Sequence, residues 1–150
     1  MFDLRGTGEG VLQTATIAGS DHTISAEGHP AFGGTDSAPS PLDLALGALI
    51  SCNQVTAKIV ALGQGITLGT FEGTIKSTLD NSVLVFGAEG NANFSTADIS
   101  VTIETDLEDE AFDTFVAEVA RRCPMTQLFE RSGVKVTNNW VNKKLVPVAA

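Results

Sequence analysis

Two cysteines are the residues of this chain best suited to covalent chemistry. They are Cys52 and Cys123, with no other cysteine in the sequence, and the thiolate would be the reactive form of each. Two cysteines are too few for a disulfide scaffold. They either pack as inert core residues or form a redox couple. A lone cysteine in an apolar helix ordinarily packs as a small hydrophobic residue. Cys52 is followed by Asn53 and Gln54, whose amides need hydrogen-bond partners if they are buried.

The sequence around Cys123 gives that thiol a local reason to ionise. Cys123 directly precedes Pro124, and proline suits the first position of a helix. The cysteine would then lie at the N-cap, where free N–H groups and the helix dipole favour negative charge. Arg121 and Arg122 add nearby positive charge. Local signals therefore predict Cys123 as the more easily ionised thiol, and Cys52 would need a positive partner from elsewhere in the fold.

Other kinds of site find little support in the sequence. The two cysteines with His22 and His29 match the ligand count of a zinc site, but none of the four has the close spacing of zinc motifs. Gly63 and Gly65 end a predicted helix instead of opening one, so they lack the context of a phosphate-binding loop. Ser51 lies outside any nucleophile-elbow motif. We expect neither a metal nor a cofactor.

Composition limits the class of protein and its partners. With 150 residues, 43% apolar and 18% charged, the chain is predicted to be one globular domain, residues 1–150. A net charge of −9 argues against nucleic acid or an anionic membrane as the main partner. The longest apolar run, residues 42–50, is too short to span a membrane, and no secretory signal is evident at the N-terminus. These features predict a cytoplasmic location.

A long helix carries Cys52. Ser40, Pro41 and Asp43 form a typical helix start, in which the serine and the aspartate complete a capping box. The helix is predicted to run to about Leu62. Residues 42–51 are apolar nearly all round, so this helix should be buried on most sides, by a sheet or by a partner subunit.

Alternating apolar residues predict strands on both sides of this helix. The predicted strands are residues 11–17, 23–27, 66–79, 99–103 and 134–136, with a turn at 80–82 leading into 83–86 and Trp140 after the last strand. Helices are predicted through about Arg122, after a capping box at residues 105–108, and from Pro124 through Glu130. A glycine- and proline-rich loop, residues 28–41, precedes the long helix. The order of these elements indicates the α+β class.

Two stretches of the sequence resemble the OsmC/Ohr family of osmotically inducible and organic-hydroperoxide-resistance proteins. They are FGGTDSAPSPLDLALGALISCNQVT, residues 32–56, and VARRCPMTQLFERSGVKV, residues 119–136, and the OsmC-like branch is the most similar. The resemblance implies an α+β fold in which antiparallel sheets wrap around a long central helix. It also implies an intertwined homodimer with active sites at the subunit interface.

The chemistry that the resemblance implies is a thiol peroxidase reaction. Cys52 would attack the O–O bond of a hydroperoxide and become a sulfenic acid, and Cys123 would resolve it as a disulfide. An external thiol reductant would then reduce the disulfide. These roles reverse the order that the local signals at Cys123 suggest.

The charged residues that support the first thiol in hydroperoxide-resistance proteins differ here. Those proteins pair an arginine from the N-terminal region with a glutamate near the start of the cysteine helix. The matching helix position is Leu42, Asp43 is its neighbour, and Arg5 is the sole arginine before the helix. Arg5 and Asp43 are thus the candidate supporting residues. The missing glutamate motivates a second hypothesis, a non-catalytic OsmC-like protein that binds a small apolar ligand.

Overall fold

The computed structural model describes residues 1–145 and has the predicted α+β class. Its elements are β1 (Leu4–Glu9), β2 (Leu12–Ile17), β3 (Thr23–Glu27), α1 (Pro41–Gln64), β4 (Leu68–Leu79), α2 (Ser82–Phe86), β5 (Phe94–Thr105), α3 (Asp109–Arg122), α4 (Pro124–Arg131) and β6 (Lys135–Lys144). Contacts within the chain group into two compact units that meet between Gly47 and Ala48. A single domain over residues 1–150 stays a prediction.

The first unit contains a three-stranded antiparallel meander in the order β1-β2-β3. At the end of β3, the Glu27 carboxylate is buried and organises the following loop. It accepts hydrogen bonds from the Ser37 backbone N–H at 2.7 Å and from the Thr35 hydroxyl at 3.0 Å. The Ser37 N–H is the main reason that the pKa of Glu27 is lowered to about 2. A carboxylate thus fixes the loop that leads into α1.

The predicted capping box at the start of α1 is confirmed. The Ser40 hydroxyl donates to Asp43 Oδ2 at 2.7 Å, and the Asp43 backbone N–H donates to the Ser40 hydroxyl oxygen at 3.1 Å. The helix ends after Gln64, where Gly65 has the left-handed φ of 72° that glycine tolerates. Gly63 lies inside the helix, so only the second of the two predicted stop residues ends it.

One face of α1 is buried and another is not. The buried residues are Leu49, Asn53, Thr56, Ala57, Val60 and Ala61. On the opposite side Val55, Ile59 and Leu62 are exposed by 59%, 52% and 70%. The expected burial on most sides is therefore not met within a single chain, because no other element of the described chain covers this second face.

By length and composition alone, α1 is long and apolar enough to cross a membrane. The expectation that no apolar run reaches that length was therefore wrong, because the apolar character continues beyond residue 50 through Val60 and Leu62. Core helices of water-soluble folds pass the same test. The buried amide of Asn53 and the exposed ammonium group of Lys58 suit such a core helix.

The second unit contains a sheet in the order β4-β5-β6. Strands β4 and β5 are antiparallel, with Phe71 opposite Ile103, whereas β5 and β6 are parallel, with Thr96 opposite Lys135. Three of the four strand pairings in the described chain are therefore antiparallel, as predicted. The parallel pairing arises because α3 and α4 form a crossover that returns the chain to the start of β6.

Helix α1 approaches this sheet closely at Gly73. A Cβ atom on Gly73 would lie 2.8 Å from Ile50 Cδ1 and 3.0 Å from the Phe71 ring. The absence of a side chain therefore lets the Ile50 side chain reach the strand. Beside it, β5 presents fully or nearly fully buried residues, Ala97, Ile99, Val101 and Ile103.

The predicted capping box at residues 105–108 is wrong. Thr105 is buried at the end of β5, and its hydroxyl donates to Asn142 Oδ1 at 2.8 Å and accepts from the Leu107 N–H at 3.1 Å. Glu108 is the N-cap of α3 and its side chain makes no capping hydrogen bond. The last strand is also longer than predicted and contains Trp140.

Candidate functional site

The fold brings the two cysteines together in the second unit. Cys52 lies in the middle of α1 and is half-buried, whereas Cys123 is fully buried where α3 ends and α4 begins. Both are free thiols. The Cys123 thiol is close enough to the Cys52 thiol to raise the pKa of Cys52. Residues far apart in the sequence thus form one dithiol site, here called the Cys52–Cys123 site.

Burial dominates the ionisation of Cys52. The pKa of its thiol is raised above the usual 9.0, first by burial and then by the adjacent Cys123 thiol. The Met125 backbone N–H and the Thr56 hydroxyl oppose this effect, since both can donate hydrogen bonds to a thiolate. In the single chain, Cys52 is therefore a neutral thiol at neutral pH.

The N-terminus of α4 acts on Cys52. Met125 is the second residue of α4, and the first N–H groups of a helix have no partner within it. A hydrogen bond from the Met125 N–H lowers the pKa of the Cys52 thiol. Cys123 occupies the predicted N-cap position, but its side chain makes no capping hydrogen bond. The group that favours the Cys52 thiolate therefore comes from the N-terminus of α4 and not from α1.

The two arginines before Cys123 are directed at a glutamate. Arg121 donates two hydrogen bonds to the Glu118 carboxylate, each at 2.7 Å, and Arg122 Nη1 lies 3.8 Å from Glu118 Oε1. Among the residues that the structure describes, no arginine is one of the groups that shift the pKa of Cys52. Both guanidinium groups near Cys123 in the sequence are thus paired with one surface carboxylate.

A buried hydrogen-bonded pair, Asn53 and Thr126, lies close to the two cysteines in the sequence. It was not predicted as part of the site. Asn53 Nδ2 donates to the Leu49 carbonyl oxygen at 2.9 Å and to the Thr126 hydroxyl oxygen at 3.1 Å. Both Asn53 and Thr126 are completely buried. The amide beside Cys52 was the available signal, because a buried amide needs partners. Its partner, Thr126, lies on another helix and carries no local signature.

The candidate supporting residues and the histidines lie in the first unit. Asp43 caps α1, and Arg5 lies in β1 with an exposed side chain. A role of either residue at the thiols stays a prediction. His29 Nδ1 accepts the Ala31 N–H at 3.2 Å. Within residues 1–145, no group of three or more histidine, cysteine, aspartate or glutamate side chains could hold a metal ion.

A pocket of about 260 Å³ lies between α1 and the sheet of the second unit. Its lining combines apolar residues with one amide and one ammonium group: Gln54, Lys58, Leu68, Gly69, Phe71 and Ile103. A pocket of this kind suits a small apolar molecule with an anionic end.

An α+β fold with two adjoining thiols defines a dithiol protein. The chain belongs to the OsmC-like protein family, whose model matches residues 34–139. It is similar in structure to an OsmC-like protein from Mycoplasma pneumoniae, with 18% identity, a TM-score of 0.77 and coverage of 97% of this chain and 98% of that one.

Two other solved structures have names that refer to hydroperoxides. The organic hydroperoxide resistance protein OsmC from Legionella pneumophila has 17% identity and a TM-score of 0.67, with 93% of this chain and 96% of that one covered. The organic hydroperoxide resistance protein OhrB of Bacillus subtilis has 18% identity and a TM-score of 0.61, with 94% and 98% covered. At such identities the likeness shows the fold. No curated protein matches the sequence.

Family membership supports a redox role of the peroxidase type in general terms. Proteins of this family are generally soluble, which agrees with α1 being a core helix. The resemblance predicted from the two cysteine-containing stretches is thereby confirmed.

Proposed function

We propose that this protein is a thiol-dependent peroxidase that reduces organic hydroperoxides at the Cys52–Cys123 site. The observation that carries the proposal is the proximity of two free thiols, one within α1 and one at the junction of α3 and α4, in a chain of the OsmC-like family. The names of the Legionella and Bacillus proteins support the choice of an organic hydroperoxide as substrate.

Cys52 is the thiol that attacks the peroxide, because it is half-buried and Cys123 is completely buried. The Cys52 thiolate attacks one oxygen of the O–O bond, so that an S–O bond forms and the O–O bond breaks. The sulfur loses two electrons and becomes a sulfenic acid, and the alkoxide leaves and takes a proton to become an alcohol. The Met125 N–H stabilises the thiolate that this step requires.

Cys123 resolves the sulfenic acid. Its sulfur attacks the Cys52 sulfur, an S–S bond forms, and the hydroxyl group leaves as water with the proton of the Cys123 thiol. An external thiol reductant then supplies two electrons and two protons and restores both thiols. The complete burial of Cys123 suits this role, because a resolving thiol needs access only to Cys52.

The functional unit in this proposal is a homodimer. Val55, Ile59 and Leu62 form an exposed apolar stripe along α1, at helical spacing and next to the segment that carries Cys52. A second copy of the chain would cover it. Ile59→Glu should shift the sedimenting species from dimer to monomer, and Thr114→Glu on the exposed face of α3 should leave it a dimer. A wild-type monomer would contradict this part of the proposal.

The test of the reaction counts thiols. With excess cumene hydroperoxide, the wild-type chain should lose both free thiols, Cys52→Ser should keep its remaining thiol, and Cys123→Ser should lose its thiol as a sulfenic acid that dimedone traps. Mass spectrometry of each variant distinguishes these products. If both wild-type thiols stay reduced under excess peroxide, the proposed reaction is wrong.

A second candidate function is the binding of a small ligand in the 260 Å³ pocket. The raised pKa of Cys52 favours it, since a neutral thiol is a poor nucleophile. Decanoate combines an apolar tail with a carboxylate that Lys58 could pair with, so it is a suitable probe. Calorimetric binding of decanoate that Lys58→Glu abolishes, together with peroxide-resistant thiols, would support this function over the peroxidase. Absence of binding to the wild-type chain would dismiss it.

A further inference from the structure

We propose that Asn53 and Thr126 form a clamp that positions the Cys52 sulfur at the N-terminus of α4. The proposal rests on the proposed function, since it concerns the same thiol. Both side chains act through the residues next to them in the sequence and not on the sulfur or the substrate. Asn53 and Thr126 are therefore positioning residues.

The hydrogen bonds of Asn53 fix its orientation. One N–H of its amide group donates to the Leu49 carbonyl oxygen one turn earlier in α1, at 2.9 Å, and the other donates to the Thr126 hydroxyl oxygen at 3.1 Å. The Thr126 hydroxyl lies 3.4 Å from Asn53 Oδ1 and can donate back. Because the bond to Leu49 holds the amide on its own helix, the bond to Thr126 connects two helices in one geometry.

The connected residues are the immediate neighbours of the groups that interact at the thiol. Asn53 follows Cys52 in α1, and Thr126 follows Met125 in α4. A link between residues 53 and 126 therefore sets the distance between the Cys52 sulfur and the Met125 N–H. That hydrogen bond is directional, so a small displacement of α4 along or away from α1 would weaken it.

The environment makes the clamp rigid. Both side chains are completely inaccessible to water, so no solvent competes for these hydrogen bonds, and in such surroundings they are stronger. Breaking the link would leave a buried amide group or hydroxyl without a partner, which opposes any loosening. A supporting shell of this kind holds a reactive group in its working position.

The experiment removes one hydroxyl group and follows the reactivity of Cys52. Thr126→Val keeps the shape of the side chain but loses the hydrogen bond, Thr126→Ser keeps the hydroxyl, and Thr126→Ala serves if the valine variant does not fold. Thr114→Val is the matched control, because Thr114 lies on the exposed face of α3 and its hydroxyl donates to the Glu110 carbonyl oxygen of the same helix. Mass spectrometry measures iodoacetamide labelling at Cys52 across a pH series.

Thr126→Val should move the midpoint of the labelling profile up by about one pH unit, which is about a tenfold slower reaction below the midpoint, as expected when one hydrogen bond to a thiolate is lost. Thr126→Ser and Thr114→Val should both match the wild-type chain. A valine variant with the wild-type profile would overturn the clamp, and so would a serine variant shifted as far as the valine one.

A second measurement separates this proposal from the peroxidase reaction. Diamide takes two electrons and two protons from a pair of thiols, so it forms the Cys52–Cys123 disulfide without peroxide. Thr126→Val should slow this reaction about tenfold relative to Thr126→Ser, by the same lost hydrogen bond. Wild-type thiols that resist peroxide while this difference persists would refute the peroxidase and support the clamp. Equal diamide rates would refute the clamp whatever the peroxide does.

Discussion

The close approach of α1 to the sheet at Gly73 gives a sharp prediction about the segment that carries Cys52. Gly73 has no left-handed backbone angle, so alanine meets no backbone strain there. Its Cβ would, however, lie 2.8 Å from Ile50 Cδ1 and 3.1 Å from Ile50 Cγ1. Real Cβ atoms essentially never approach another heavy atom to under 3.0 Å. Gly73→Ala must therefore displace the Ile50 side chain from its position against the strand.

The expected cost follows from two opposing effects. Overpacking a core costs about 1–3 kcal/mol, whereas replacing glycine by alanine restricts the unfolded chain and returns about 0.4–1 kcal/mol. We expect Gly73→Ala to lower the free energy of unfolding by about 1–2 kcal/mol. Ile50→Val removes the Cδ1 atom at 2.8 Å and by itself costs about 0.5–1.5 kcal/mol.

Combining the two substitutions tests whether this contact is the cause. The variant with both should be more stable than the sum of the separate losses predicts, by about 1 kcal/mol, because the shortened side chain makes room for the new methyl group. Urea denaturation followed by circular dichroism gives each free energy. Gly47→Ala in α1 is the control, since nothing lies within 4 Å of its added Cβ, and it should stabilise the protein by about 0.5–1 kcal/mol.

Two results would refute this reasoning. If the two losses add within about 0.3–0.5 kcal/mol, the residues are not coupled and the helix does not meet the strand at this point. If Gly73→Ala stabilises the protein as much as Gly47→Ala, the approach of Ile50 to β4 is wrong.

Two predictions concern pH. The pKa of Cys52 is raised above 9.0 by burial and then by Cys123, so the rate of iodoacetamide labelling at Cys52 should still increase above pH 9.0. Cys123→Ala should move this pH profile to lower pH. An unmoved profile would contradict the influence of Cys123. Glu27 has its pKa lowered from 4.5 to about 2, so it contributes stability above pH 4.5 that is lost as the pH falls through about 2. Glu27→Gln should therefore melt below the wild-type temperature at pH 6, and the difference should close between pH 4.5 and 2; a constant difference would show that the charge is not responsible.

Local signals predicted the beginning of α1 but failed at α3, although the same motif occurs at both places. Ser40 lies in the loop before α1, and among residues 1–145 its hydroxyl bonds only within the capping box, to Asp43. Thr105 belongs to a strand, and its hydroxyl is engaged by Asn142 from a neighbouring strand. A capping motif therefore predicts which residue caps a helix only when no tertiary contact uses the capping side chain.

The parallel pairing of β5 with β6 was not predictable from local pattern for a related reason. Alternation predicted a strand containing Ile99, Val101 and Ile103, and this is confirmed, with all three side chains buried. The direction of its neighbour depends instead on the crossover through α3 and α4. Strand identity is local, whereas strand direction is a property of the connection.

The same distinction explains why the thiol chemistry needed a structure. The sequence placed a helix N-terminus at Cys123, and the helix does begin there, but its Met125 N–H acts on Cys52. Residues at the start of a helix direct their N–H groups outward along the axis. These groups therefore stabilise negative charge on the residue that packs against that end, which need not be the N-cap residue. The buried Asn53–Thr126 hydrogen bond selects that neighbour. Cys52 therefore gains its thiolate-stabilising partner through tertiary packing, and substitutions at α4 should alter its reactivity more than substitutions at the start of α1.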